Sequence, residues 1–148
     1  MQRCAQLTVT VLNIVLGLFY SLVGLVKVYP ALSPEVHNEM KSSFPGHAEV
    51  SPLNLVGVNL EPDTYMFAIG ATELCLGILL IIGPSAIKLL SNIILLVIMV
   101  GAIHAHVAQK DGKMVPAIIA FVLLGFRLMF ATSFPSYALV DEEEKKKK

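Results

Sequence analysis

Charge is scarce in this 148-residue chain: Asp, Glu, Lys and Arg make up 15% of it, against about a quarter of an ordinary soluble domain. With 55% apolar residues and a mean hydropathy of +0.73, that scarcity argues against a water-soluble fold. The few charges cancel, eleven basic against eleven acidic, so no strong electrostatic pull toward nucleic acid exists. Cysteine is nearly absent as well. Cys4 and Cys75 are spaced neither as a redox pair nor as a metal site, and the protein does not depend on disulfides. The sequence has no phosphate-cradling glycine loop, no zinc spacing and no Asn-x-Ser/Thr sequon. A nucleophile–base pair or cofactor motif is also missing, which points away from an enzyme and implies neither cofactor nor metal.

What is present is hydrocarbon. Segments 7–29, 65–83, 87–108 and 114–134 are apolar nearly all round. Each is roughly the 20 residues a helix needs to cross about 30 Å of bilayer core. A soluble bundle would carry polar stripes at helical period instead. The expected fold is therefore all-α: a polytopic membrane protein whose four transmembrane helices form a bundle over residues 1–134. One lumenal loop, 30–64, joins the first two spans, and a charged cytosolic tail occupies 135–148. The first apolar run is too long for a cleavable leader and lacks a small-residue cleavage site, so it reads as a signal-anchor span.

An even number of spans puts both ends on one side of the membrane. That side holds Arg3, Lys88 and the lysines at 145–148; the other holds Lys41, Lys110 and Lys113, with Lys27 at the membrane edge. The bias favours cytosolic termini, with the C-terminal run dominating the count. In the loop, LSPEVHNEMKSSF reads as a short helix, with Ser33 as N-cap and Pro34 at the first helical position. The prolines and glycines of PGHAEVSPLNLVGVNLEPD are expected to break any continuous helix after it. Its apolar residues Val50, Leu53, Leu55, Val56, Val58 and Leu60 suggest a segment lying on the bundle end or the interface.

One acidic residue interrupts the second span. A carboxylate in hydrocarbon costs a few kcal/mol or more, so Glu73 should face protein or water and have a partner. At helical spacing, Gly70, Glu73 and Gly77 share a stripe, and such small residues let another helix come close. The first span carries a matching stripe, Gly17, Ser21 and Gly24, that continues to Lys27. By helical rise, Glu73 lies about 12 Å below the lumenal surface. Lys27 and Arg127 are its candidate counter-ions, Arg127 with the option of snorkelling to the headgroups. His104 and His106 are hydrogen-bonding reserves, not metal ligands, since no third ligand accompanies them. Two uses remain open for these residues: an internal staple for a small bundle, or a polar cavity that binds a ligand, carries protons or engages a client.

The two stripes also carry a resemblance. Gly17, Phe19, Gly24 and Lys27 (G-x-F-x4-G-x-x-K), with Glu73, Gly77 and Gly83 (E-x3-G-x5-G), resemble the DoxX-like superfamily of four-helix membrane proteins. Within it, HAEVSPLNLVGVNLEPDTYMFAIGATELCLGILLIIGP and LSNIILLVIMVGAI are similar to the transmembrane protein 35 family, its B-type branch especially. The similarity runs over about residues 10–130. It implies a non-enzymatic chaperone of the endoplasmic-reticulum membrane that promotes folding, assembly and surface expression of nicotinic acetylcholine receptors or related multi-subunit proteins. Its partners would then be receptor subunits and the lipid bilayer. The competing reading is a small transporter, or a membrane subunit of a redox complex, built around Glu73. Against transport, there is no inverted repeat or broken helix pair. The closing VDEEEKKKK reads as a solvated charged tail, and Lys145 and Lys146 stand where a cytosolic dilysine retrieval signal would place them.

Overall fold

The computed structural model describes residues 2–133, and among these every regular element is helical. Four helices are long and apolar enough to cross a membrane: α1 (Gln2–Val28), α3 (Pro62–Ile82), α4 (Ser85–Gln109) and α5 (Val115–Ser133). The chain is a multi-pass membrane protein. The expected tail, with Lys145 and Lys146, lies outside the described residues.

The helix bounds follow local chemistry. α3 starts three residues before its apolar run because Pro62 is pre-set for a first helical turn, where its missing N–H costs nothing. Gly83 and Pro84 alone separate α3 from α4, which makes them an antiparallel hairpin. α4 ends where Lys110 turns left-handed at φ 53° and Gly112 follows at φ 71°. There the chain reverses into α5.

The segment between α1 and α3 holds α2 (Pro34–Glu49), flanked by single 3-10 turns at Pro30–Leu32 and Pro52–Val56. Ser33 does precede α2, but its backbone carbonyl, not its hydroxyl, engages the first turn, accepting from His37 N at 2.9 Å. A correction concerns the far end. Pro45 and Gly46 predict a break after Phe44, whereas the helix continues through both to Glu49. An internal proline costs about 3 kcal/mol in an unsupported helix. Here the helix is clamped on both sides of the proline. Phe44 is buried and packs on His47 and Tyr65 with ring centroids 5.2 and 5.8 Å away. Gly46 lies so close to Gln109 of α4 that an added Cβ would fall 2.5 Å from its side chain. Packing decides over local propensity. The apolar residues after α2 contribute less than their composition suggests, since Leu53 and Val58 stay exposed.

α1 packs most extensively on α3, α4 bridges α3 and α5, and α5 returns to α1. Leu16, Tyr20, Leu76, Leu80, Leu95 and Leu124 form the shared core. α2 crosses one end of this bundle, against α1, α3 and α4.

Candidate functional site

The small-residue stripes of α1 and α3 meet face to face. An added Cβ on Gly77 would come 2.7 Å from Ser21 N and 2.8 Å from Gly17 O; one on Gly24 would come 2.5 Å from Gly70 O. One on Gly70 would meet the Lys27 Cβ at 2.6 Å, and one on Gly17 the Gly77 carbonyl at 2.7 Å. The backbones approach this closely only because side chains are missing from the seam.

At the α2 end of the seam Lys27 reaches Glu73. Lys27 Nζ donates to Glu73 Oε2 at 2.5 Å, across 46 residues of sequence, with Glu73 1% exposed. Lys27 also lies 5.9 Å from the centre of the Phe44 ring. The charge in α3 is thus neutralised by a cation one helix away, inside protein and not in lipid.

Arg127 stands at a different station. It is buried, and its Nε donates to Asn13 Oδ1 of α1 at 2.8 Å. Asn13 and Lys27 are about 21 Å apart along α1 by helical rise, beyond the reach of one side chain. The structure therefore pairs Glu73 with Lys27 and engages Arg127 elsewhere. The histidines also part company: two residues apart on a helix, they face different ways. His104 is exposed, while His106 Nδ1 lies 2.8 Å from Asp111 Oδ2.

His106 joins a residue that sequence reasoning passed over. The ring of His47, from α2, stands edge-on to it at 4.7 Å. Burial first, then the facing His106, pushes His47 down from 6.5 to about 4, so it is neutral at pH 7. Asp111 is lowered by the Lys113 backbone N–H it accepts and by His106. Asn13 was missed too, although a lone amide in TVLNIVL was a usable signal: buried polar groups in hydrocarbon need partners. His47 and Asp111 sit in polar connections and carried no such signal.

Between the seam and the other helices lies a cavity of about 620 Å³. Val23 of α1, Ile69 of α3, Ala102 of α4 and Ala117 of α5 form its walls, and Phe44 of α2 closes one end. Lys27, Glu73, His47 and His106 also line it, as do Glu39 and Lys113, which pair at 3.3 Å. The cavity belongs to the α2 half of the bundle, away from Arg127.

The comparisons with known proteins fit this architecture. The sequence model of the DoxX-like family matches residues 11–128. The chain is 32% identical over 124 residues to the "Novel acetylcholine receptor chaperone" of Xenopus tropicalis, covering 82% of this chain and 76% of that protein. It is 29% identical over 126 residues to the Bos taurus protein of that name, covering 84% and 71%. The Mus musculus counterpart is 28% identical over 127 residues, covering 84% and 75%.

Proposed function

The chain belongs to the DoxX-like family and, within it, to the transmembrane protein 35 group; on that basis we propose that it is a non-enzymatic assembly factor for nicotinic acetylcholine receptors or related multi-subunit membrane proteins, resident in the endoplasmic reticulum. The observation that carries this reading is the similarity, over more than four-fifths of the chain, to relatives named as acetylcholine receptor chaperones. The structure supports it by how polar groups are used. Lys27–Glu73 and Asn13–Arg127 tie spans to one another, and the outward residues Leu90, Ile93, Val97 and Val100 of α4 and Ile119, Val122 and Phe126 of α5 are apolar. Such a body can lie beside the spans of an unassembled subunit without presenting it an unpaired charge. Ionic groups that hold the bundle together are poor candidates for proton carriers, which favours the assembly role over the transporter reading.

The test is co-expression of the chain with nicotinic receptor subunits in a cell line lacking related chaperones. Surface toxin binding should rise, and mild-detergent capture should recover unassembled subunits. Unchanged surface binding with no subunit recovered, from a chain shown to be folded, would sink the proposal.

A further inference from the structure

The cavity is chemically selective in a way the assembly role does not require. The lysines and carboxylates on its wall already have partners, Lys27 with Glu73 and Lys113 with Glu39, and His106 is hydrogen-bonded to Asp111. His47, held neutral, adds no charge. An anionic headgroup would find no spare cation there, and a cationic one no spare anion. Apart from Ser43, Ser51 and the hydroxyls of Tyr20 and Tyr65, the rest of the wall is apolar, and 620 Å³ lies within the roughly 300–1,000 Å³ of sites that enclose small ligands. Exposed Phe19 and Val97 of membrane-spanning helices line it, and so do exposed Val36, Glu39 and Lys113 at the α2 end, so the space borders both hydrocarbon and the polar end of the bundle.

The polar wall also fixes the kind of head that fits. Lys27 gives one of its three N–H groups to Glu73, and Glu73 uses Oε2, which leaves Oε1 able to accept. A group bound against this pair must accept from an ammonium and donate to a carboxylate. A hydroxyl does both. A ketone, ester or ether can only accept.

We propose that this cavity binds an alcohol-headed lipid, with a bulky apolar body between α1, α4 and α5 and its hydroxyl against Lys27 and Glu73. Sterols and diacylglycerols share that chemistry. The proposal stands apart from the assembly role, because it needs no client.

The experiment uses the full-length protein in mild detergent, with photoreactive sterol and photoreactive diacylglycerol as separate arms and labelled peptides mapped by mass spectrometry. One arm should label the wall segments around Val23, Ile69 and Ala102. The unlabelled parent alcohol should compete about ten-fold or more better than its methyl ether, as expected for losing one hydrogen bond to a charged group. Phosphatidic acid should compete no better than the ether. Ala102→Phe, which fills the space without touching the ion pair, should abolish wall labelling while the protein stays monodisperse with a normal melting temperature. If that variant does not fold, the alcohol-to-ether ratio on the unaltered protein decides. Equal competition by alcohol and ether, preference for phosphatidic acid, or labelling only on outward faces overturns the proposal. Protection by a receptor subunit but by neither alcohol also overturns it, assigning the cavity to a polypeptide.

Discussion

Lys27 and Glu73 show what a single pair does in a bundle this small. Each charge in hydrocarbon is tolerated only because the other is there, so removing one leaves its partner buried and uncompensated. In soluble proteins that costs about 3–5 kcal/mol. Glu73→Gln should therefore lower the melting temperature in detergent by a clear margin. Adding Lys27→Met should recover part of the loss, whereas adding Arg127→Met should deepen it, since Arg127 serves Asn13. Rescue by Arg127→Met and not by Lys27→Met would contradict the observed pairing. A second residue-scale prediction concerns acid. The His47 pKa is depressed in the fold, from 6.5 to about 4, so between those values the unfolded chain binds a proton that the folded one does not. Stability should be intact above pH 6.5, fall as pH drops toward 4, and level off below. The lowered Asp111 adds its own loss only further down, below its ordinary 3.8. His47→Gln should flatten the pH 6.5 to 4 slope in a melting series; an unchanged slope would place the acid sensitivity elsewhere. From sequence, Glu73 announced itself by its cost in hydrocarbon, and Lys27 was one of two partners in reach. Which of the two depended on depth and helix rotation, and only three-dimensional packing sets these.

At the scale of elements, the seam between α1 and α3 is rigid where α4 and α5 are permissive. Gly77→Ala would drive a methyl group into the Ser21 nitrogen and the Gly17 carbonyl, and backbone cannot rotate aside as a side chain can. The helices would have to separate, at an overpacking cost of about 1–3 kcal/mol, and the Lys27–Glu73 contact would stretch with them. Gly101 of α4 faces open space, with nothing within 4 Å of an added Cβ. Gly101→Ala should therefore be neutral, or stabilising by up to about 1 kcal/mol through helix propensity. Melting curves of the two variants test the difference, and comparable losses would mean the seam is less close than described. The seam was legible beforehand, because glycines three and four apart mark a contact face whatever lies opposite. The path of α2 was not. Pro45 and Gly46 are strong helix breakers locally, and what carries the helix past them is Phe44 on Tyr65 and Gly46 on Gln109. Those contacts join residues far apart in sequence, which a local reading cannot weigh.

For the whole molecule, several basic residues at the α2 end are held in ion pairs. On the α2 end, Lys27, Lys41 and Lys113 are each paired, with Glu73, Asp63 and Glu39 respectively. Those lysines have a structural reason to be where they are, so their number is a poor guide to which side of the membrane they face. Arg3 and Lys88 mark the opposite end and agree with placing it in the cytosol. The α2 end and its cavity would then face the lumen, where receptor extracellular domains fold. The chain carries its own probe for this arrangement. Cys4 is exposed in the first turns of α1, whereas Cys75, also exposed, lies mid-span on α3, where a water-soluble reagent cannot follow it into lipid. In sealed reticulum vesicles, a membrane-impermeant maleimide should label Cys4 without any detergent. A cysteine placed at Ser42, on the exposed side of α2, in a Cys4→Ser background should react only after the vesicles are opened. The reverse pattern would turn the molecule over. The cavity and α2 would then face the cytosol, and the expectation of a lumenal loop over 30–64 would have to be abandoned even though the bundle itself were unchanged.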